Sequence, residues 1–510
     1  MNPTQANIYQ AFSAWVARTP QASAIITPHS TLSYHDLEQA IIQQINLLHA
    51  AGLRTHHTAA LIASDELVSI VVVLALARMG VTLCCVPRAT PIEQQQQWIA
   101  QVHCDILISD SADTLSAHAA CTAGILVDAH GVTKKQSSQK NPPAIIDDTP
   151  TRPLMIVIGS GSTGRNKIMP ISHPQMRARV QSMTEIYQLS STDRIATMAH
   201  MEYSSGVHRL WNALTLGAAF VLFDRNYDSI QRLHTTWGVT LLSGTVFHAQ
   251  QLLHRWRGSR ERPLEGIKLV ITSSIVSDAL RQEIQSSLST DLWVIYGSNE
   301  AWTLTAAGPD ACRLHPGTVG RAVPGVELQI VDNHFRPLAS GQIGHIAVRG
   351  DQIIDHYLND PESTTRYMRN GWFLPGDLGK QLDDGHLIFC GRSDNMMILN
   401  GVNIYPIEIE QCLMTHPEVT DVVALPLRHQ VHQDLPVALV ALAPHATSNE
   451  AQLLAFATER LGFKHPRRIF VCSAIPRNAQ GKPIKDAMQS IIQNALTSDK
   501  VTSHSATARD

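Results

Sequence analysis

The sequence shows no apolar run of membrane-spanning length, no signal-peptide pattern in its first residues and no cysteine spacing of a disulfide framework. The apolar run 70–77 stops at Arg78, far short of a bilayer crossing. Met1-Asn2-Pro3-Thr4-Gln5 lacks the basic and apolar regions of a signal peptide. Eight cysteines are scattered without a CxxC pair, and Cys84-Cys85 are neighbours that a strand would point to opposite sides. These absences predict a soluble, cytoplasmic protein whose thiols stay reduced and buried. An excess of one charge is missing too. Forty Lys and Arg against 43 Asp and Glu leave a formal -3, which excludes a global basic field for nucleic acid or anionic membrane. Neither an internal repeat nor a zinc signature such as HExxH occurs, and His429, His432 and Asp434 offer three ligands in one loop with no fourth.

What is present is the composition of a folded, multidomain protein. With 510 residues, 44% hydrophobic and 16% charged, the chain exceeds one ordinary core. Helical patterns at 32–51 and 67–79 alternate with apolar runs at 59–62 and 81–87. That alternation predicts a layered α/β fold with helices covering a largely parallel sheet. Further strands are expected at 105–108, 220–223, 269–271 and 292–295, and a surface connection at 131–150. From 326 to 389 the texture changes to shorter strands between turn residues, as at 326–331 and 344–348. The tail 498–510, rich in Ser, Thr and Ala, reads as disordered.

The most informative segment follows the apolar run Leu154-Met155-Ile156-Val157. It reads Ile158-Gly159-Ser160-Gly161-Ser162-Thr163-Gly164-Arg165-Asn166-Lys167, a strand feeding a loop of glycines and hydroxyls. Glycines let backbone N–H groups approach a phosphate, hydroxyls donate, and lysine adds charge. Gly159 and Gly164 have the spacing of a Walker loop. There, however, lysine follows the second glycine directly and Ser or Thr follows the lysine, whereas here Arg165-Asn166 intervene and Ile168 follows. The Walker reading fails.

Five more segments follow in order. They are Tyr296-Gly297-Ser298-Asn299-Glu300, Gly376-Asp377-Leu378-Gly379, Gly391-Arg392-Ser393-Asp394-Asn395-Met396, Asn403-Ile404-Tyr405-Pro406-Ile407-Glu408-Ile409-Glu410 and Asn478-Ala479-Gln480-Gly481-Lys482. Together with the loop they resemble the adenylate-forming superfamily: acyl- and aryl-CoA synthetases, peptide-synthetase adenylation domains and beetle-type luciferases. The resemblance covers roughly residues 10–490. It implies a large N-terminal layered α/β domain, 1–393, hinged at Asp394 to a small mobile C-terminal α/β domain, 394–497. It also implies an activity. A carboxylate attacks the α-phosphorus of ATP, pyrophosphate leaves, and the acyl-AMP gives its acyl group to a thiol.

The same resemblance gives each residue a role. Ser160, Gly161, Ser162, Thr163, Gly164 and Lys167 would wrap the β- and γ-phosphates. Glu300 would hold Mg2+, a hard dication that wants carboxylate oxygen. Tyr296, Gly297, Ser298 and Asn299 would lie along the nucleotide, the first two against adenine. Asp377 would accept both ribose hydroxyls, with Arg392 donating to the same region. Lys482 would swing in on the small domain as charge builds on the carboxylate and α-phosphate, which makes Lys482, Glu300 and Lys167 the expected catalytic residues. Rotation at Asp394 would then withdraw Lys482 and bring a face including Gly401 to the thiol tunnel. The chain departs from the family at Asn166 (usually Pro), Asn299 (usually Thr), Pro375 (commonly Thr) and Ile398 (Lys in many CoA synthetases).

Tyr203-Ser204-Ser205-Gly206-Val207-His208-Arg209-Leu210-Trp211 enters a helix whose Val207, Leu210, Trp211 and Leu214 share one face. The resemblance puts Tyr203, Ser204 and Val207 at the acyl pocket. Adenylation domains for α-amino acids carry an aspartate about where Ser204 falls. A serine cannot supply that charge, so a standard α-amino acid is disfavoured; otherwise Ser204 caps the helix. No carrier signature follows Lys482, so the thiol is expected from outside, as CoA or a trans-acting carrier protein's phosphopantetheine. Lys464, Arg467, Arg468 and Arg477 would meet such an anionic acceptor or form a solubilising face. Two other readings share these motifs: a catalytically degenerate nucleotide-binding scaffold or regulatory subunit, and a luciferase-like oxygenase. Retained Lys167, Glu300, Asp377 and Lys482 argue against the scaffold.

Overall fold

A computed structural model describes residues 7–120, 122–127, 152–159, 166–225, 227–256, 262–400, 402–429, 433–477 and 483–506. Among these residues four sheets form. A six-stranded sheet runs in the order Ala123–Leu126, Ile106–Ser109, Thr58–Ile62, Thr82–Cys85, Pro153–Gly159, Lys167–Ser172 and is parallel except for its last pair. A nine-stranded sheet runs Arg321–Ala322, Trp302–Ala307, Leu292–Ser298, Lys268–Thr272, Leu241–Thr245, Arg194–Thr197, Ala219–Val221, Ser23–Ile26, Thr31–Ser33. Its centre is parallel and both margins are antiparallel.

The expected layered α/β architecture is therefore built on two parallel-centred sheets, not one. The helix Glu66–Met79 explains the difference. Twelve of its fourteen residues are buried, and a helix apolar on every side must be covered on every side. It forms a middle layer with Tyr34–Ala50, His173–Tyr187 and Ser204–Leu216, which together touch strands of both sheets. Local chemistry starts these helices where the sequence dictates. Asp65 accepts from the N–H groups of Leu67 and Val68, while Ser33 and Ser172 form capping boxes. Outside, Tyr227–Thr235, Val246–Trp256 and Asp278–Ser287 cover the nine-stranded sheet, and Ile92–Val102 covers the six-stranded one.

The change of texture after 326 marks a third, antiparallel sheet that includes Glu327–Val331, Gly344–Arg349, Asp377–Gln381 and Leu387–Arg392. The fourth sheet joins Val402–Ile404, Met397–Leu399, Gln433–Leu442 and Val419–His429, with Arg468–Cys472 parallel to Gln433–Leu442. Two apolar clusters about this sheet draw only on residues from Met397 onward, so the segment owns its core.

The expectation of a disordered tail is corrected in part. The last helix, Lys485–Ala506, runs through most of 498–510. Met488 and Ile492 are buried, and Ile491, Ala495 and Leu496 pack beside them. A helix nucleated by that apolar stripe extends at little further expense, whatever the composition beyond it.

Seven described cysteines are free. Burial pushes the Cys85 thiol up to about 12, and contact with Cys104 followed by burial raises Cys84, so both stay protonated and unreactive. Among the described residues no helix is long and apolar enough to cross a membrane. For the loop reading of His429, His432 and Asp434, His432 and the His429 side chain lie outside the described residues, and Asp434 accepts from the Ile398 N–H at 3.2 Å.

Candidate active site

Strand Pro153–Gly159 pairs antiparallel with Lys167–Ser172, with Gly159 opposite Lys167, so the segment between them closes a hairpin. A Walker loop feeds a helix instead, a second reason against that reading. Ser160, Gly161, Ser162, Thr163 and Gly164 lie outside the described residues, as do Lys482 and Gly401. Lys167 is described. Its Nζ sits 3.6 Å from the ring centre of Tyr367, 4.9 Å from that of Tyr357, and 3.5 Å from the Tyr357 hydroxyl. Two aromatic faces thus hold the ammonium.

The second hairpin is Leu292–Ser298 paired with Trp302–Ala307. A Cβ on Gly297 would lie 1.7 Å from the Trp302 carbonyl oxygen, so only glycine permits this close turn. The turn presents Glu300, whose Oε1 accepts from the Tyr357 hydroxyl at 2.8 Å. Since Lys167 donates to that same hydroxyl, Tyr357 joins the lysine of the first hairpin to the carboxylate of the second. Asn299 is exposed at the turn, and the Ser298 hydroxyl is buried without a hydrogen-bond partner among the described residues. Buried hydroxyls are rarely left so unless a ligand or water completes them.

The third hairpin, Asp377–Gln381 with Leu387–Arg392, puts Asp377 opposite Arg392. The Tyr296 hydroxyl donates to Asp377 Oδ2 at 2.5 Å and Arg392 Nη1 donates to Oδ1 at 3.2 Å. Burial pushes the Asp377 carboxyl up to about 6, against the opposing pull of Arg392 and Tyr296, and the nearby negative charges of Glu300 and Asp394 add to the rise. Arg392 also grips both oxygens of Asp394 (3.2 and 3.3 Å) and the Pro375 carbonyl (2.9 Å). Asp394, the expected hinge, is exposed. Five residues named from the sequence thus fall into two contact groups, Lys167–Tyr357–Glu300 and Tyr296–Asp377–Arg392, and the second hairpin carries a member of each.

The expected acyl-pocket residues sit at the start of helix Ser204–Leu216. Tyr203 is its capping residue and makes no side-chain capping bond, so Ser204 is not the cap. Val207, Leu210, Trp211 and Leu214 are at most 1% exposed, and their stripe is core. A Cβ on Gly206 would lie 2.5 Å from the His200 carbonyl oxygen, so the first turn is pressed against that backbone. Arg209 is buried with its guanidinium over Tyr187.

Sequence reasoning missed Arg179, Tyr357, Tyr367 and His208. Arg179 is 1% exposed and donates to the carbonyls of Glu300 (2.8 Å), Asn299 (3.3 Å) and Gln352 (2.9 Å) and to His208 Nε2 (3.0 Å). His208 Nδ1 meets the Ser204 carbonyl at 2.6 Å and so carries the proton there, which leaves Nε2 to accept from Arg179. Its ring lies flat on Trp302 at 3.8 Å. Burial, then Arg179, drives the His208 pKa well down, and burial lowers Arg179 to about 9. A line of contacts therefore joins Ser204 to the backbone of Glu300. A lone arginine on the apolar stripe Met176, Val180, Met183 was the available signal for Arg179; no local pattern marks the tyrosines.

The family model for AMP-binding enzyme matches residues 12–358, and that for the AMP-binding enzyme C-terminal domain matches 408–482. The chain belongs to the AMP-binding enzyme family. Relatives span its whole length. The indoleacetate–CoA ligase of Aromatoleum aromaticum is 26% identical, over 94% of this chain and 98% of its own. The 4-chlorobenzoate–CoA ligase of an Arthrobacter species is 24% identical, over 92% of each chain. Among solved structures, the ATP-bound MatB of Rhodopseudomonas palustris superposes with a TM-score of 0.85 at 24% identity, covering 94% of this chain and 98% of that one. The O-succinylbenzoate coenzyme A synthetase of Bacillus subtilis, in complex with ATP and magnesium, gives 0.84 at 21% identity over 94% and 99%. This AMP-binding enzyme thus has the two-part α/β fold of its family, a large N-terminal unit and a smaller C-terminal one.

Proposed function

We propose that this protein is an AMP-forming acid–thiol ligase whose three hairpins hold ATP while a carboxylic acid attacks it. The reaction class is that of the family: the acid's oxygen bonds to the α-phosphorus, pyrophosphate leaves, and a thiol then displaces AMP from the acyl carbon. The carrying observation is that contacts join the second hairpin to both of the others: Tyr296 meets Asp377, which Arg392 also holds, and Glu300 meets Lys167 through Tyr357.

In this reading Asp377 accepts the ribose hydroxyls, exchanging the Tyr296 hydroxyl for a ligand donor, and Arg392 fixes the carboxylate's position. Tyr296, Gly297, Ser298 and Asn299 line the nucleotide, and the unsatisfied Ser298 hydroxyl gains a partner. Lys167, with Ser160, Gly161, Ser162, Thr163 and Gly164, neutralises the β- and γ-phosphates. Glu300 fits Mg2+: one oxygen is steadied by Tyr357, and the other makes no hydrogen bond among the described residues. When bound, Mg2+ would neutralise phosphate charge as pyrophosphate departs. Lys482 meets the carboxylate and α-phosphate. The apolar clusters confined to residues after Met397 support a separate C-terminal unit, 394–497, that turns at Asp394 and carries Lys482 in and out.

The acid lacks an α-amine, since Ser204 offers no counter-charge, and its pocket involves Tyr203 and Val207. CoA is the acceptor; a phosphopantetheine on a carrier protein is the alternative. Free, buried thiols agree with a cytoplasmic setting. Pyrophosphate exchange across a panel of carboxylic acids tests the reading, and a nucleotide-binding scaffold would give no exchange with any acid. Free CoA set against a phosphopantetheinylated carrier then decides the acceptor.

A further inference from the structure

Away from the nucleotide site, the turn of the third hairpin meets the loop that follows helix Pro309–Leu314. Three side chains gather there. Asp384 Oδ2 lies 2.9 Å from His386 Nδ1 and 3.7 Å from His315 Nε2, and the ligand atoms of all three fall within 4.8 Å of one another. The two imidazoles stack, their centres 4.1 Å apart at 24°. Asp384 Oδ1 is already committed to the His386 N–H at 3.1 Å, which leaves Oδ2 facing both rings.

Asp384 and His386 pair at 2.9 Å, yet that pair leaves His315 Nε2 facing the same carboxylate oxygen. The His386 side chain is buried, 6% exposed for the residue, and its Nδ1 has no hydrogen-bond partner among the described residues. The nearby carboxylate oxygen is close, but not aligned as a hydrogen bond would be. The poorly aligned ring nitrogen, the second imidazole and the carboxylate oxygen all lie within reach of one small ligand.

We infer that His315, Asp384 and His386 form a binding site for a first-row divalent transition ion, with zinc the best match. Two imidazole nitrogens and one carboxylate oxygen suit Zn2+, which takes four ligands, the fourth here a water reached through exposed Asp384. Mg2+ and Ca2+ prefer oxygen throughout, so the ion differs from the one Glu300 would hold. Tetrahedral ligands stand about 3.3 Å apart, so Asp384 Oδ2 and His315 Nε2 close slightly from 3.7 Å while Asp384 Oδ2 and His386 Nδ1 open slightly from 2.9 Å. Exposed Asp384 and half-buried His315 can supply that movement.

The ion acts as a staple. The hairpin pairs Gln381 with Leu387 at its turn and Asp377 with Arg392 at its open end. The site therefore stands roughly 15 Å from the Asp377–Arg392 pair along the same two strands. It would bind the turn to the 315–320 loop, which already hydrogen-bonds Leu387 in both directions through Val319 and Gly320. Arg321 opposes the ion: its Nη2 lies 3.9 Å from Asp384 Oδ2, on an exposed and movable side chain.

Full-length protein without a histidine tag, stripped of metal and free of nucleotide, is titrated with Co2+ and then with Zn2+ in competition. The expected result is one tight site with the visible d–d absorption of tetrahedral Co2+, and a higher thermal midpoint with Zn2+. Asp384→Asn, at an exposed position, and His315→Gln, at a half-buried one, should weaken that site at least tenfold. Arg321→Gln should tighten it several-fold, because a positive charge about 4 Å away is removed. Absence of the tetrahedral cobalt spectrum in the wild type would overturn the inference, and so would equal affinity in the wild type and in both ligand variants.

Discussion

Asp377→Asn separates the folding role of the buried carboxylate from its nucleotide role. The folded carboxyl titrates near 6, chiefly because burial raises it, against an ordinary 3.8. Between those values the native state holds a proton that the unfolded chain releases, so the native state binds more protons there. Stability of the nucleotide-free protein therefore falls as pH rises from about 4 to about 6, and the penalty is complete above 6. Two units correspond to at most about 3 kcal/mol. The asparagine variant escapes that penalty and keeps the Tyr296 hydrogen bond, while Arg392 keeps Asp394 and the Pro375 carbonyl. Thermal midpoints measured from pH 4.5 to 7.5 without nucleotide should show the variant ahead of wild type by about 1–2 kcal/mol at the upper end, converging towards the lower. Buried Glu410, raised to about 7 by desolvation, has the same sign but is common to both proteins and cancels in the difference. ATP affinity should move the opposite way, about 10- to 100-fold weaker in the variant, because an amide oxygen cannot accept two hydroxyls as a carboxylate does. Parallel pH curves for the two nucleotide-free proteins would refute the assignment of the titration to Asp377.

Glu300→Gln retains an acceptor for Tyr357, so the nucleotide-free midpoint should hardly change while turnover falls about 10²-fold and needs more Mg2+; an unaltered magnesium dependence removes Glu300 from the metal. Lys482→Ala should lose on the order of 10²-fold in acyl-AMP formation yet still thiolate supplied acyl-AMP. Equal loss in both half-reactions would defeat that division of labour. Acids without an α-amine should outcompete their α-amino counterparts in pyrophosphate exchange by about 10³-fold, since an unpaired buried ammonium costs several kcal/mol. Exchange driven chiefly by an α-amino acid would mean that an acidic residue other than Ser204 serves the pocket. Arg179→Lys keeps charge but cannot span the Glu300, Asn299 and Gln352 carbonyls together. It should lower kcat more than it raises KM for ATP, and a change in melting temperature alone, with kcat intact, would reduce Arg179 to a structural role.

Much of the fold was legible because its signals are local. The 3.6-residue pattern at 67–79 and the apolar runs at 59–62 and 269–271 became Glu66–Met79, Thr58–Ile62 and Lys268–Thr272 within one or two residues. Local pattern could not say that Glu66–Met79 is a middle layer between two sheets, because complete burial and membrane burial leave the same apolar run and only its length separates them. At the site, the motif residues carried their own charge signals. Tyr357 carried none, and the arginine on an apolar stripe that marked Arg179 did not name its partner, because both residues act on groups more than fifty residues away, joined only by the fold. The tail 498–510 was read from its own polar composition, whereas the stripe of Met488, Ile492 and Leu496 that seats the helix Lys485–Ala506 lies just before it.

The departures from the family pattern bear on whether the site works or merely binds. Pro375 cannot donate from a side chain, but its carbonyl takes the Arg392 guanidinium at 2.9 Å, so the backbone holds the arginine that holds Asp377. Asn299 replaces a hydroxyl with an amide. Its carbonyl is fixed by Arg179, and its Nδ2 would stand 3.7 Å from a Cβ placed on Gly159, at the mouth of the first hairpin, where an amide donor can still serve an anion. Ile398 sits in a strand with its N–H committed to Asp434, and among the described residues no hydrogen bond joins it to Lys167, Glu300, Asp377 or Arg392. Each of these three changes falls where the backbone or a neighbour bears the contact. The groups whose charge the proposed chemistry requires, Lys167, Glu300, Asp377 and Lys482, are all present. A chain drifting towards a binding-only role would be under no pressure to keep the carboxylate proposed for magnesium and the lysine proposed for the transition state, since binding needs neither. The pattern of loss and retention therefore argues for a working ligase.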